Sequence, residues 1–208
     1  MQRSRRATGF TMIEMIVTMT IFAILVAIGV PTMSTWIRNN KVRTVADALQ
    51  TGLRAAQAES LRRSRQVVFS LTDSTTPTAI PLPASVTGKS WAIWTVPSMA
   101  GETPAFVQSG ILSNASTAVQ VVTTASTVCF NSMGRLVNNA GANVVAITGG
   151  DDCVQPTTAV PGTPAVQTFT ISIPGGDRPL QVNLGLGGQV HMCDPGVPIS
   201  DSHPEGCP

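Results

Sequence analysis

The stretch Gly9-Phe10-Thr11-Met12-Ile13-Glu14 opens an apolar run that Pro31 closes, and its reading decides the fold. Between residues 10 and 30 the only charged side chain is Glu14, and three arginines (Arg3, Arg5, Arg6) stand just before the run. Twenty-one residues at about 1.5 Å each span roughly the 30 Å hydrocarbon core of a bilayer. The arginines leave the N-terminus on the cytoplasmic side and send the rest of the chain outward. A secretory signal has a shorter apolar region, with a small-x-small cleavage site after it. Here a glycine junction lies before the run, so the helix is expected to be retained. A carboxylate inside such a helix costs a few kcal/mol unless a partner meets it, which makes Glu14 a candidate functional group.

A short basic leader, a Gly-Phe junction and a glutamate five residues into an apolar helix together resemble a type IV prepilin. The resemblance implies that a prepilin peptidase in the membrane cuts between Gly9 and Phe10. Residues 1–9 are then a leader peptide and Phe10 an N-methylated first residue. It also implies that Glu14 neutralises the N-terminal amine of a neighbouring subunit during assembly. Such an ion pair would satisfy two charges that are each costly alone in lipid.

Charge is distributed unevenly along the chain. Of 13 basic residues three lie in the leader, which leaves 10 basic against 11 acidic. Residues 36–65 carry seven basic and two acidic side chains, a balance of +5. From Gln66 onward there are three basic and eight acidic, a balance of −5. All four cysteines (Cys129, Cys153, Cys193, Cys207) lie beyond the apolar run, as expected of disulfides in an exported domain. Four cysteines allow three pairings. Cys129–Cys153 with Cys193–Cys207 is favoured because each closes a modest local loop, the second stapling a Pro/Gly/Ser-rich tail.

Beyond Pro31 the helix is expected to continue with a kink, because proline removes one backbone hydrogen bond and clashes one turn back. Val42, Val45, Ala46, Leu49, Leu53 and Ala56 recur at spacings of three and four, an apolar stripe, while Arg38, Lys41, Arg43, Gln50, Arg54 and Gln57 lie off it. Gly52 weakens that helix by about 1 kcal/mol relative to alanine. The organisation is thus a membrane half over residues 10–31, an amphipathic half over 32–65, and a head over 66–208. Short Val, Ile, Thr, Trp and Phe-rich runs predict strands at 66–71, 90–96, 118–122, 127–130, 141–147, 166–173, 180–184 and 189–193. In the strand at 166–173 Phe169, Ile171 and Ile173 share one face, and Val166 is out of phase. Trp91 and Trp94 face opposite sides of their strand, one expected in the core and the other at a contact with a neighbouring subunit. Segments 72–85 and 154–164 read as surface loops. The class is α+β, a long N-terminal helix packed on an antiparallel β head.

The runs Val128-Cys-Phe-Asn-Ser-Met-Gly-Arg135 and Gly187-Gly-Gln-Val-His-Met-Cys193 make the head resemble the GspH/FimT-type minor pilins and pseudopilins. That branch implies a place near the tip of a pilus or of a type II secretion pseudopilus. It implies as partners other minor pilins, the major pilin, an inner-membrane assembly platform and membrane lipid. Some members are proposed DNA receptors that use a Gly-Arg-x-Arg element. Here the matching place reads Gly188-Gln189-Val190-His191, so both arginines are absent and with them the main source of affinity for DNA. Arg62, Arg63 and Arg65 are the remaining candidate DNA patch, against a plainer reading as a helix end where cations favour the dipole.

A zinc site at His191, Cys193, His203 and Cys207 has irregular spacing, and exported cysteines more often oxidise, so no metal is assigned. No cofactor is implied either. No nucleophile elbow or Walker loop is present, so an enzyme is not expected. The reading is a structural subunit, inserted in the inner membrane with its N-terminus cytoplasmic and its head periplasmic. It is then incorporated near a fibre tip to initiate pilus assembly. A type II secretion pseudopilus and a tip-exposed DNA receptor are the alternatives.

Overall fold

The computed structural model describes residues 10–114, 116–157 and 164–207, with the side chains of Pro31 and Thr32 left out. The leader, including Gly9, and part of the predicted loop at 154–164 lie outside the described residues. The chain divides into two compact units, Met1–Ile37 and Arg38–Pro208. One helix, α1 (Met12–Arg63), is assigned across 52 residues without interruption at position 31.

In the first unit, α1 starts after Thr11, whose hydroxyl accepts the Glu14 backbone N–H at 3.3 Å. This is an N-cap followed three residues later by glutamate, the capping-box pattern. The hydroxyls of Thr18 and Thr20 donate to the carbonyls of Met15 (3.0 Å) and Val17 (2.8 Å). Each polar side chain is thereby satisfied within its own turn and adds no polar cost in an apolar surrounding. By length and composition α1 is long and apolar enough to cross a membrane.

The second unit holds the rest of α1 and ten strands: β1 (Val67–Thr72), β2 (Ser90–Thr95), β3 (Ala105–Ile111), β4 (Gln120–Thr123), β5 (Thr127–Phe130), β6 (Leu136–Val137), β7 (Val166–Ser172), β8 (Leu180–Gly185), β9 (Val190–Pro198) and β10 (Gly206–Cys207), with a short helix α2 (Ala142–Thr148) between β6 and β7. They form two five-stranded sheets, ordered β3-β2-β1-β5-β6 and β10-β9-β8-β7-β4. Every ladder is antiparallel except β10 with β9, which is parallel. The class is α+β.

All six residues of the predicted stripe are buried, in one core with Phe69, Trp91, Phe130, Phe169, Val182 and Leu184 from both sheets. The off-stripe polar residues seal its edge. Gln50 and Arg54 donate to the Val190 carbonyl (3.4 and 3.3 Å), and Gln57 donates to that of Gly134 (3.0 Å). Arg38 and Asn39 reach the turn before β8, donating to the Gly175 carbonyl (2.9 Å) and the Asp177 carboxylate (2.8 Å).

The first sheet is buried on both faces, which is why β1 and β2 show no exposed position. Its far face carries a second core of Val68, Ala92, Trp94, Cys129, Leu82, Val144 and Ile147. Three expectations are corrected by this layer. Segment 141–147 is not a strand: from Ala142 it belongs to α2, whose Val144 and Ile147 are buried three residues apart. Gly149 ends that helix in the left-handed region (φ 76°), where glycine has no Cβ penalty. Segment 72–85 is not wholly a surface loop, because Leu82 is buried and its N–H donates to the Ile147 carbonyl at 2.7 Å. Trp94 is not held for a neighbouring subunit; it is buried here and meets Phe106 edge-on at 5.3 Å.

Strand β7 begins on the out-of-phase Val166 for a polar reason. Gln167 takes the buried position, its Nε2 donating to the hydroxyls of Thr123 (2.6 Å) and Thr124 (3.0 Å). The amide is satisfied in place, so the apolar alternation starts only at Phe169.

Candidate assembly helix and head surfaces

Glu14 lies in the first turn of α1, where a negative charge favours the helix dipole. It is exposed, as are Phe10, Met12, Ile13, Ile16, Met19 and Phe22 around it. Among the described residues its carboxylate forms no ion pair. The local chemistry is a lone acid within one turn of Phe10, on a helix whose apolar surface its own unit leaves uncovered. Such a surface is suited to lipid or to other helices. Gly9, the other half of the predicted processing junction, lies outside the described residues.

The candidate DNA patch is occupied by its own chain. Arg62 clasps Glu59 with two hydrogen bonds of 2.7 Å, and Arg63 pairs with the same carboxylate. Arg65 pairs with Glu102, four residues into the segment after Ser98, whose N–H also donates to that carboxylate at 2.9 Å. Three cations therefore face two acids, and little charge is left for phosphate. The Arg62 hydrogen bond, against the opposing effect of burial and with help from Arg63, holds Glu59 down at about 2. The Ser98 N–H, with Arg65, does the same for Glu102, also about 2. Spacing of three and four residues on one helix makes the Glu59 pairs readable in sequence. The Arg65–Glu102 pair has no such signal.

A depressed carboxylate pKa adds stability that is present above the unfolded value of about 4.5 and lost as pH falls toward the folded value. The head is therefore expected to lose stability between about pH 4.5 and about 2. Glu59→Gln should flatten that slope in urea titrations across the acid range. Its effect near neutrality should be at most about 1 kcal/mol, because two-thirds of the Arg62 side chain is exposed to solvent screening.

The structure joins Cys129 to Cys153 and Cys193 to Cys207, with Cα atoms 5.5 and 5.0 Å apart. The first bridge lies in the second core. The second ties β9 to the C-terminal segment. With both thiols of that pair committed, His191 and His203 lose the two cysteines that would have completed a zinc site. No group of three or more candidate metal ligands occurs among the described residues. His191 is exposed on β9, opposite Asn183 of β8.

A family model for the prokaryotic N-terminal methylation motif matches residues 4–30, and one for the type II transport protein GspH matches residues 45–188. No curated protein matches the chain. Among solved structures, two crystal forms of the Pseudomonas aeruginosa (strain PAO1) type IV minor pilin FimU are similar, each at 16% identity. The P65 form covers 76% of this chain and 98% of its own, with a TM-score of 0.45. The P21 form covers 79% and 98%, with a TM-score of 0.49.

Proposed function

Because the chain belongs to the GspH family of pilin-like structural subunits, we propose that it is a minor type IV pilin that helps to initiate fibre assembly near the tip. The observation that carries the reading is the lone Glu14 carboxylate in the first turn of an uncovered apolar helix. In the proposed sequence the peptidase removes residues 1–9, and the new Phe10 amine is methylated. An assembly platform in the inner membrane then draws the helix from lipid into a fibre. There Glu14 meets a neighbour's N-terminal amine, and exchange of lipid for helix surface keeps the apolar side chains out of water. The acidic head provides lateral contacts with other minor pilins and the major pilin.

A second reading, a subunit of a type II secretion pseudopilus, is favoured by the description of the matching family. DNA reception is disfavoured, since Arg62, Arg63 and Arg65 are already paired. Deleting the gene and measuring surface pili, secretion and DNA uptake in one strain tests all three. Loss of pili with intact secretion is expected. Intact pili with failed secretion would move the protein to the pseudopilus, and failure of uptake alone would restore the receptor. Replacing Gly9 should leave the uncleaved precursor in the membrane, visible as a mass higher by the leader.

A further inference from the structure

The first charged side chain after Glu14 is Arg38, and Lys41 and Arg43 follow it on α1. No carboxylate occurs between residues 15 and 46. All three cations are exposed, and none forms an ion pair among the described residues. Arg38 donates to the Gly175 carbonyl in the turn before β8. Arg178 follows in the same turn, but Asp177 adjoins it and Glu205 feels its field, so the uncompensated charge lies on the helix. In this the three differ from Arg62, Arg63 and Arg65, which face Glu59 and Glu102.

Position and arrangement say what these cations meet. In the first unit the uncharged stretch ends on Trp36 and Ile37, both exposed, and tryptophan at the end of an apolar run is the usual mark of a membrane interface. Arg38 begins the second unit directly after them in sequence. Helical residues 38–43 rise about 9 Å, and the polar layer on each side of a hydrocarbon core is about 5–8 Å thick. Lys41 and Arg43 are two positions apart, about 200° around an α-helix, so they leave it on nearly opposite sides. One flat partner surface does not cover both, whereas a layer that surrounds the helix does. In such a layer phosphate answers the charge, and the alkyl stems lie along the acyl boundary. Nor are these cations orientation signals, because the positive-inside rule concentrates lysine and arginine at the other end of the run.

We propose that Arg38, Lys41 and Arg43 form a collar that binds the phosphate headgroups of anionic phospholipids in the leaflet facing the head; the proposal rests on the reading of α1 as a membrane span. The collar holds the subunit in the bilayer once Arg3, Arg5 and Arg6 leave with the leader, because residues 10–37 contain neither lysine nor arginine. Extraction into a fibre breaks these contacts, so the charge of the lipid sets part of the cost of assembly.

The test places the full chain in phosphatidylcholine vesicles containing a minority of phosphatidylglycerol, with a trace of either lipid spin-labelled on its acyl chain. Electron paramagnetic resonance reads the motionally restricted fraction of each label. Phosphatidylglycerol is expected to be preferred by about five-fold or more, the effect of about one cation at an anionic surface, and by less in high salt. Lys41→Gln with Arg43→Gln should bring the preference close to unity. Asn40→Lys, at an exposed position between them and Arg38, should raise it, and carries the test if the double variant fails to fold. Equal restriction of the two labels, or a preference that neither variant changes, overturns the collar. Displacement of labelled phosphatidylglycerol by inorganic phosphate at constant ionic strength would assign the cations to a soluble anion instead. An unchanged preference with fewer double-variant subunits in sheared fibres would assign them to an acidic neighbouring subunit. A chain that alkaline carbonate strips from the vesicles sinks the membrane span and the collar together. One that stays in the bilayer without lipid preference sinks the collar alone.

Discussion

Gly52→Ala is expected to destabilise the head by about 1–2 kcal/mol, although alanine is the better helix former by about 1 kcal/mol. The two effects oppose each other, and packing decides the sign. A Cβ built on Gly52 would stand 2.8 Å from Cε2 and 2.9 Å from Cζ2 of Trp91. The indole has nowhere to go. On β3 a Cβ at Gly110 would meet the same ring at 2.6 Å, so the indole is clamped between two glycines. Phe69 stacks on it at 5.6 Å with an interplanar angle of 24°. Overpacking a filled core costs about 1–3 kcal/mol for small insertions, which outweighs the helix gain, and Gly52→Leu should exceed that range and unfold the head. Urea denaturation of the full chain, read by tryptophan fluorescence, measures both. A more stable Gly52→Ala chain would mean that the ring yields. Trp91→Phe should relieve part of the Gly52→Ala penalty, a coupling of at least 0.5 kcal/mol in a double-mutant cycle.

That clamp shows where sequence reading reached and where it stopped. The stripe from Val42 to Ala56 is readable because one buried face of a helix imposes spacings of three and four, and all six residues reach the core. Gly52 reads only as a weakness, since its partners Trp91 and Gly110 come together through the pairing of β2 with β3. Strand β3 carries no such pattern. It is an edge strand with none of its seven residues buried, so it lacks the period that marks a half-buried strand. Residues 141–147 misled because valine and isoleucine favour strands, whereas tertiary packing wanted Val144 and Ile147 on one helical face under the first sheet. The Gly141 and Gly149-Gly150 boundaries were the available signal for a short helix. Of the candidate sites, Glu14 is legible because a lone charge in an apolar run needs no partner to be noticed.

Glu14→Ala is expected to leave cleavage after Gly9 and membrane insertion intact and to reduce assembled subunits by ten-fold or more. Insertion argues in one direction only. Removing a carboxylate from an apolar helix relieves a cost of about 2.5–3.5 kcal/mol, so a plain signal anchor would insert as well or better. Assembly argues in the other. A neighbour's N-terminal amine left without its counter-charge in a low-dielectric fibre core costs about 3–5 kcal/mol, about two to four orders of magnitude in an association constant. Glu14 also occupies the capping-box position behind Thr11, so an effect on the helix start must be separated from charge pairing. Glu14→Gln supplies the separation. Glutamine retains a polar side chain that suits the cap but carries no charge, so under charge pairing it should fail to assemble nearly as badly as alanine. The readout is the ratio of mature subunit in sheared fibres to mature subunit in membranes. Normal assembly of Glu14→Gln with failure of Glu14→Ala would assign the residue to helix capping, and normal assembly of both would remove Glu14 from the assembly mechanism.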